Sequence, residues 1–369
     1  AARFLLGRMA GHQCRRLQLM PGTAATCYLF GRGGGKGTEG MTGARWHTWV
    51  LLAALVALAI RLPFLLADPA KIDLESYDYD LNNGGRLFLM QRSGRPDVYL
   101  FGTLHVSDPR VLDLPESVEA AFKRSPVYLA ETRNVPDGDR YGPLAEDYLA
   151  REAEWADLCT SGVPLKLAVS EEVFNEVLQA MFRITSEGSH GFVGDRQMGA
   201  INPWCASTLL GYTPAEWTRQ YEGRLSLDDA LLLRAKGEGK KVLQLETAAQ
   251  QARPITEMSA GVQLLYLDAA LNNYGYPSME EAYEDLVENY LNGVFAYDGL
   301  LRFSKDYRRH YWEELIIRRN LQMATTISSV EAEAPVFVTV GIAHLIGQKG
   351  LVALLAEEGY EATALEPPR

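Results

Sequence analysis

The chain has 369 residues, 36 Lys+Arg against 47 Asp+Glu, a net charge of −11 and 47% hydrophobic residues. That composition belongs to a folded globular protein and excludes both a disordered chain and a multi-span membrane protein. Residues 1–67 carry eight Lys+Arg and one Asp+Glu, which leaves a strongly acidic body that repels a phosphate backbone and excludes nucleic acid as a partner.

Residues 1–40 are rich in Gly and Arg and show no hydrophobic period, so they read as a disordered or untranslated leader, with Met41 as the true start. The Gly-rich stretch Gly31–Thr38 is not a phosphate loop. Phe30 occupies the place of its first Gly, and Gly37 separates Lys36 from Thr38. From Met41, a basic start (Arg45), an apolar run Trp49–Ile60 and the small pair Ala57 and Ala59 match a secretory signal peptide over 41–67. An uncleaved membrane anchor through 49–67 is the alternative. Either places the body, 68–369, outside the cytoplasm in the periplasm or beyond, as one domain. Its two cysteines, Cys159 and Cys205, are then a disulfide in an oxidising compartment or two buried thiols.

Within the body, a strand pair is expected at 86–91 and 97–102 around the turn Ser93–Pro96. A helix at 115–124 follows, with Pro115 in its first turn, and then a short apolar strand, 127–131. Residues 140–330 read as a mainly helical insertion. Helices are expected near 143–160, 170–182, 214–222, 226–238, 255–272, 278–292 and 305–328, with a capping box at Ser278 and Glu281. One strand, 241–245, interrupts them. The chain returns to strand, helix and strand at 336–340, 350–358 and 362–365. The fold class is mixed α/β, with strand–GxxH–helix–strand units at both ends forming a central mixed sheet.

Those two units echo each other. Val98-Tyr-Leu-Phe-Gly102-Thr-Leu-His105 leads to a strand ending in Glu131, and Val336-Phe-Val-Thr-Val-Gly341-Ile-Ala-His344 leads to a second strand. The echo predicts a duplicated unit. A third strand ends Leu245-Glu246-Thr247, matching Glu131-Thr132. Carboxyl ends of strands in α/β sheets form ligand crevices, and Gly102 and Gly341 are expected to turn the backbone so that His105 and His344 reach the rim. Two imidazoles and two carboxylates suit a divalent metal (zinc, manganese, cobalt or iron). They equally suit metal-free acid–base work by a His–carboxylate pair. Arg319 and Asn320 interrupt the apolar stripe of Trp312, Leu315, Ile316 and Met323 and are expected to reach the site. His310, in a charged stretch, and His190, in a Gly/Ser loop, read as surface residues.

Tyr99–His105 with Leu114-Pro115, Leu129–Glu131, Leu245–Thr247 with Gln250 or Gln251, Arg319-Asn320 with Met323, and Val340–Leu345 with Gly350-Leu351 form an ordered set that resembles the TraB/GumN family, relatives of the Tiki metalloproteases. The resemblance runs from about Arg86 to Leu365. It implies an α/β fold with a shared site in which His105, Glu131 and His344 form the core and Glu246 and Arg319 support it. Tiki relatives are described as metal-dependent proteases, and other members as inhibitors of peptide pheromone signalling. Gln244 stands where the family usually has Gly, which crowds that strand end. The expected activity is that of an exported metal-dependent peptidase acting on a peptide or protein. His105 and His344 would be metal ligands, and Glu131 and Glu246 would share the roles of further ligand and general base. Arg319 would stabilise the oxyanion. The alternative is an extracytoplasmic protein that binds a peptide, a metal or haem without turnover.

Overall fold

The computed structural model describes residues 68–132, 157–187, 194–273, 278–295, 300 and 303–365. The strands are β1 (Leu87–Gln91), β2 (Val98–Thr103), β3 (Val127–Ala130), β4 (Lys241–Gln244), β5 (Val336–Gly341) and β6 (Glu361–Ala364). The helices are α1 (Pro109–Leu112), α2 (Glu116–Arg124), α3 (Leu165–Ala168), α4 (Glu171–Glu187), α5 (Asp195–Ala200), α6 (Pro203–Leu210), α7 (Pro214–Tyr221), α8 (Leu227–Gly237), α9 (Ala248–Thr256), α10 (Ala260–Asn273), α11 (Ser278–Leu291), α12 (Lys305–His310), α13 (Arg318–Ser329) and α14 (Leu351–Glu357).

The six strands form one mixed sheet in the order β4-β3-β5-β2-β1-β6. β4, β3, β5 and β2 run parallel, and β1 pairs antiparallel with both β2 and β6. The interior parallel strands β2, β3 and β5 are buried at every position. Their continuous apolar runs are what a parallel sheet covered on both faces requires. The edge strands are more polar: β6 reads Glu-Ala-Thr-Ala and is exposed throughout, and β4 begins with the exposed Lys241.

Two hydrophobic cores result. The larger joins the sheet to α2, α8, α11, α13 and α14 through residues such as Phe122, Leu231, Val287, Met323 and Leu355. The smaller lies within the helical part, where Phe174, Met181, Trp204, Trp217 and Leu267 pack around Cys159 and Cys205. Those two cysteines form a disulfide.

The mixed α/β class and the strand positions agree with expectation. Four details do not. The duplicated unit is not confirmed: β2 and β3 flank β5, whereas β5 and β6 are separated by β2 and β1, and β3 is fully buried where β6 is fully exposed. The helix expected over 255–272 is two, α9 and α10: α9 starts earlier, at a capping box of Thr247 and Gln250, and ends at the C-cap Glu257, before α10 begins at Ala260. The helix expected over 305–328 contains a π-helical segment, Tyr311–Ile317, between α12 and α13. Pro115 is the N-cap of α2 rather than a residue of its first turn. The helix expected at 143–160 falls outside the described residues except for 157–160, which are helical. The leader, segment 41–67 and His190 also fall outside them, as does the Ser278 side chain. Among the described residues no helix is long and apolar enough to cross a membrane.

Candidate active site

The parallel strands β2, β3, β4 and β5 all end at the same edge of the sheet, and each delivers a polar side chain just beyond its last residue. His105 follows β2, Glu131 follows β3, Glu246 follows β4, and His344 closes the 3-10 turn Ile342–His344 after β5. Residues far apart in sequence therefore converge without any unusual local structure.

The two glycines act by allowing close approach. Neither Gly102 nor Gly341 has a positive φ, so neither performs the sharp turn expected of it. A methyl group on Gly341 would come within 3.1 Å of His105 Nε2 and 3.7 Å of His344 Cδ2. Both imidazoles therefore lie over the bare Gly341 Cα. A methyl group on Gly102 would meet Ile342 Cδ1 at 2.4 Å and Leu345 Cδ1 at 2.8 Å, so Gly102 lets the turn carrying His344 settle on β2.

Each imidazole is pinned through Nδ1. His105 Nδ1 is 2.6 Å from Asp228 Oδ2, and the other oxygen of Asp228 contacts the Thr103 hydroxyl, which also lies 3.0 Å from the Val340 carbonyl oxygen. His344 Nδ1 is 2.6 Å from Asn320 Oδ1. Asn320 Nδ2 donates to the carbonyls of His344 (3.2 Å) and Lys349 (2.8 Å), so its oxygen must be the acceptor facing His344. That assignment puts the His344 proton on Nδ1 and leaves Nε2 with its lone pair. Burial, reinforced by the Arg319 charge, pushes His344 down to about 3, so it stays neutral. Asp228 pushes His105 up to about 9 against the opposing effect of burial. The His105 ring is 61% exposed, and solvent screens part of that attraction.

The carboxylates are organised by Arg319, whose guanidinium binds both. Its Nε lies 3.1 Å from each oxygen of Glu246, and its Nη2 contacts Glu246 and Glu131. Glu131 Oε2 accepts the Gly341 N–H at 3.0 Å, and Gln251 Nε2 stands 3.4 Å from Oε1. The two acids shift in opposite directions. Burial raises Glu131, but Arg319, both histidines and the Gly341 N–H together hold it far below the ordinary range. Glu246 is raised because burial outweighs Arg319 and Glu131 repels it.

The six residues expected at the site, His105, Glu131, Glu246, Arg319, Asn320 and His344, are thus brought together, with the guanidinium of Arg319 bound to two carboxylates. Sequence reasoning missed Asp228 and Thr103. Asp228 lies in the first turn of α8, where an acid ordinarily serves the helix dipole, so no sequence signal set it apart. His310 is half-buried rather than at the surface. It bonds Tyr266 Oη (3.1 Å) and the Pro254 carbonyl (3.3 Å), away from the site.

A model of the TraB/PrgY/gumN family matches residues 87–364, spanning every strand and each of these site residues. The chain belongs to this family. Its similar curated relatives include the metalloprotease TIKI homolog of Nematostella vectensis, 20% identical over 88% of this chain and 76% of that protein. The metalloprotease TIKI2 of Danio rerio is 24% identical over 74% of this chain and 59% of that protein. The metalloprotease TIKI2 of Xenopus tropicalis is 25% identical over 82% and 63%. The chain therefore spans about three fifths to three quarters of these relatives. No solved structure matches it.

The family's relatives imply a divalent metal, and the donor set can be tested against one. The histidines fit: each has Nδ1 fixed by a partner and, among the described residues, no hydrogen bond at Nε2, the usual arrangement of metal-ligating imidazoles. Glu131 is held by Arg319 and Gly341. Among the described residues no three His, Cys, Asp or Glu side chains stand together as a metal-holding group.

Proposed function

We propose that this TraB/PrgY/gumN protein is an exported, metal-dependent hydrolase of peptide bonds. The observation that carries the reading is the pair of imidazoles seated over Gly341 with both Nδ1 atoms pinned. His105 and His344 would hold the ion through Nε2, and Glu131, the acid whose charge interacts with both rings, would be the next donor. A divalent ion in such a site polarises a carbonyl and brings a water's pKa toward neutrality. Glu246, the acid with the raised pKa, takes and returns the proton. Arg319 keeps the two acids apart in role and holds both against the strand ends. The Cys159–Cys205 disulfide and the signal-like segment 41–67 support export.

The 2.6 Å contact between His105 and Asp228 favours a second reading, metal-free hydrolysis with this dyad as acid and base. Incubation of the protein with an unstructured peptide library, with and without a chelator, decides between the two. The metal reading expects cleavage that the chelator abolishes and added zinc, manganese or cobalt restores, and no cleavage by Glu246→Gln. Chelator-resistant cleavage would favour the dyad. Intact peptides under every condition would sink both hydrolase readings.

A further inference from the structure

A second polar cluster stands behind His105, outside the site just described. Glu216, in the first turn of α7, has a side chain only 3% exposed. Its Oε1 accepts the Ser107 N–H (2.8 Å), the Ser107 hydroxyl (2.8 Å) and Gln220 Nε2 (3.0 Å). Its Oε2 accepts Arg219 Nη2 (2.7 Å), Arg219 Nε (3.2 Å) and Tyr283 Oη (3.2 Å). Six donors on one buried carboxylate make a complete socket, since a buried charge persists only when it is paired and hydrogen-bonded.

The socket grips a segment with no regular structure of its own. Ser107 lies two residues after His105, in the stretch 104–108 between β2 and α1. On its other side that stretch is tied by the Leu227 N–H to the Val106 carbonyl (3.1 Å), immediately before Asp228. Val106 N–H bonds back to the Leu104 carbonyl at 2.8 Å, completing a tight turn at His105. Trp217, next to Glu216, is buried in the helical core that also contains Cys205. Glu216 therefore links that core to the segment bearing His105.

We propose that Glu216 is a positioning residue for His105, so that the ability of the site to hold a metal depends on the helical core docked against it. This rests on the metal reading above. The geometry predicts that Glu216→Ala loosens residues 104–108 and misplaces Nε2, and loss of outer partners of a ligating histidine typically weakens metal binding about 10- to 100-fold.

The test uses the full chain and cobalt(II) as probe, with its affinity and visible spectrum measured beside amide hydrogen exchange. Glu216→Ala is expected to lose about 10- to 100-fold in cobalt affinity, to change the cobalt spectrum, and to exchange faster at 104–108. Glu216→Gln, which keeps an acceptor for Ser107, should lie between it and the parent, and it carries the comparison if the alanine variant does not fold. Arg234→Gln is the control. It breaks the pair Arg234–Glu119 (2.7 Å) between α8 and α2, away from the site, and should lower Tm without altering cobalt affinity or exchange at 104–108. Unchanged affinity and protection in Glu216→Ala would overturn the proposal, as would an equal loss in Arg234→Gln. A parent that takes up no cobalt would defeat the metal reading alone. Exchange would then decide the positioning claim, with opening confined to 104–108 sustaining it and unchanged protection overturning it.

Discussion

Asn320 is fully buried and uses both ends of its amide. Its nitrogen ties the carbonyls of His344 and Lys349, between β5 and α14, and its oxygen fixes the His344 ring. Asn320→Ala would leave those three groups unpaired in the interior. A loss of about 2–3 kcal/mol is expected in chemical denaturation, and an unchanged midpoint would contradict this role. Gly102 makes a separate demand. Its missing Cβ is filled by Ile342 and Leu345, so Gly102→Ala should cost about 1–3 kcal/mol through overpacking, a loss that thermal unfolding would read. These residues also show what a sequence reader can and cannot see. The two Gly-x-x-His strings were legible because each is local, a buried strand followed by a fixed spacing. Arg319 and Asn320 were legible as polar residues in an apolar stripe. Asp228 was not, because it meets His105 only through the fold, 123 residues away.

Among the elements, the helices that pack around Cys159 and Cys205 form a core of their own. The disulfide closes a separation of 46 residues, and loop-closure entropy on that scale is worth about 4 kcal/mol. Replacing both cysteines with serine should therefore lower stability by up to about 4 kcal/mol. An equal Tm for the variant and the oxidised parent would show that the bridge contributes nothing. The contact between α7 and the segment after β2 adds a pH dependence. Hydrogen bonds from Arg110 hold Asp108 low, and those from Gln220, Arg219 and Ser107 outweigh burial to hold Glu216 low. Groups depressed on folding contribute stability that is present above their ordinary values and is lost as pH falls through the folded ones. Acid unfolding below about pH 4.5 should therefore be less steep in Glu216→Gln than in the parent. Identical acid limbs would exclude Glu216 as a contributor. Element boundaries were readable where caps or strand runs marked them. The π-helical segment Tyr311–Ile317 was not, since its residues continue the helical pattern on both sides and only the hydrogen-bond register differs.

Across the whole molecule, a sheet with four parallel strands ends along one edge, and the candidate site is assembled from what lies just past each end. The class of fold was legible from strands at both ends of the body with helices between them. The strand order was not. Similar Gly-x-x-His strings suggested two copies of a unit, yet β2 and β5 are neighbours that reach different partners. What the adjacency of β2 and β5 does is set His105 and His344 over one glycine. The most direct measurement is the metal content of the purified protein after reconstitution with zinc, manganese, cobalt or iron, by elemental mass spectrometry, for the parent, His105→Ala and His344→Ala. The prediction is near-stoichiometric metal in the parent and its loss from both variants, with all three folded by circular dichroism. A parent with no metal, or either variant retaining it in full, would contradict a shared two-histidine site.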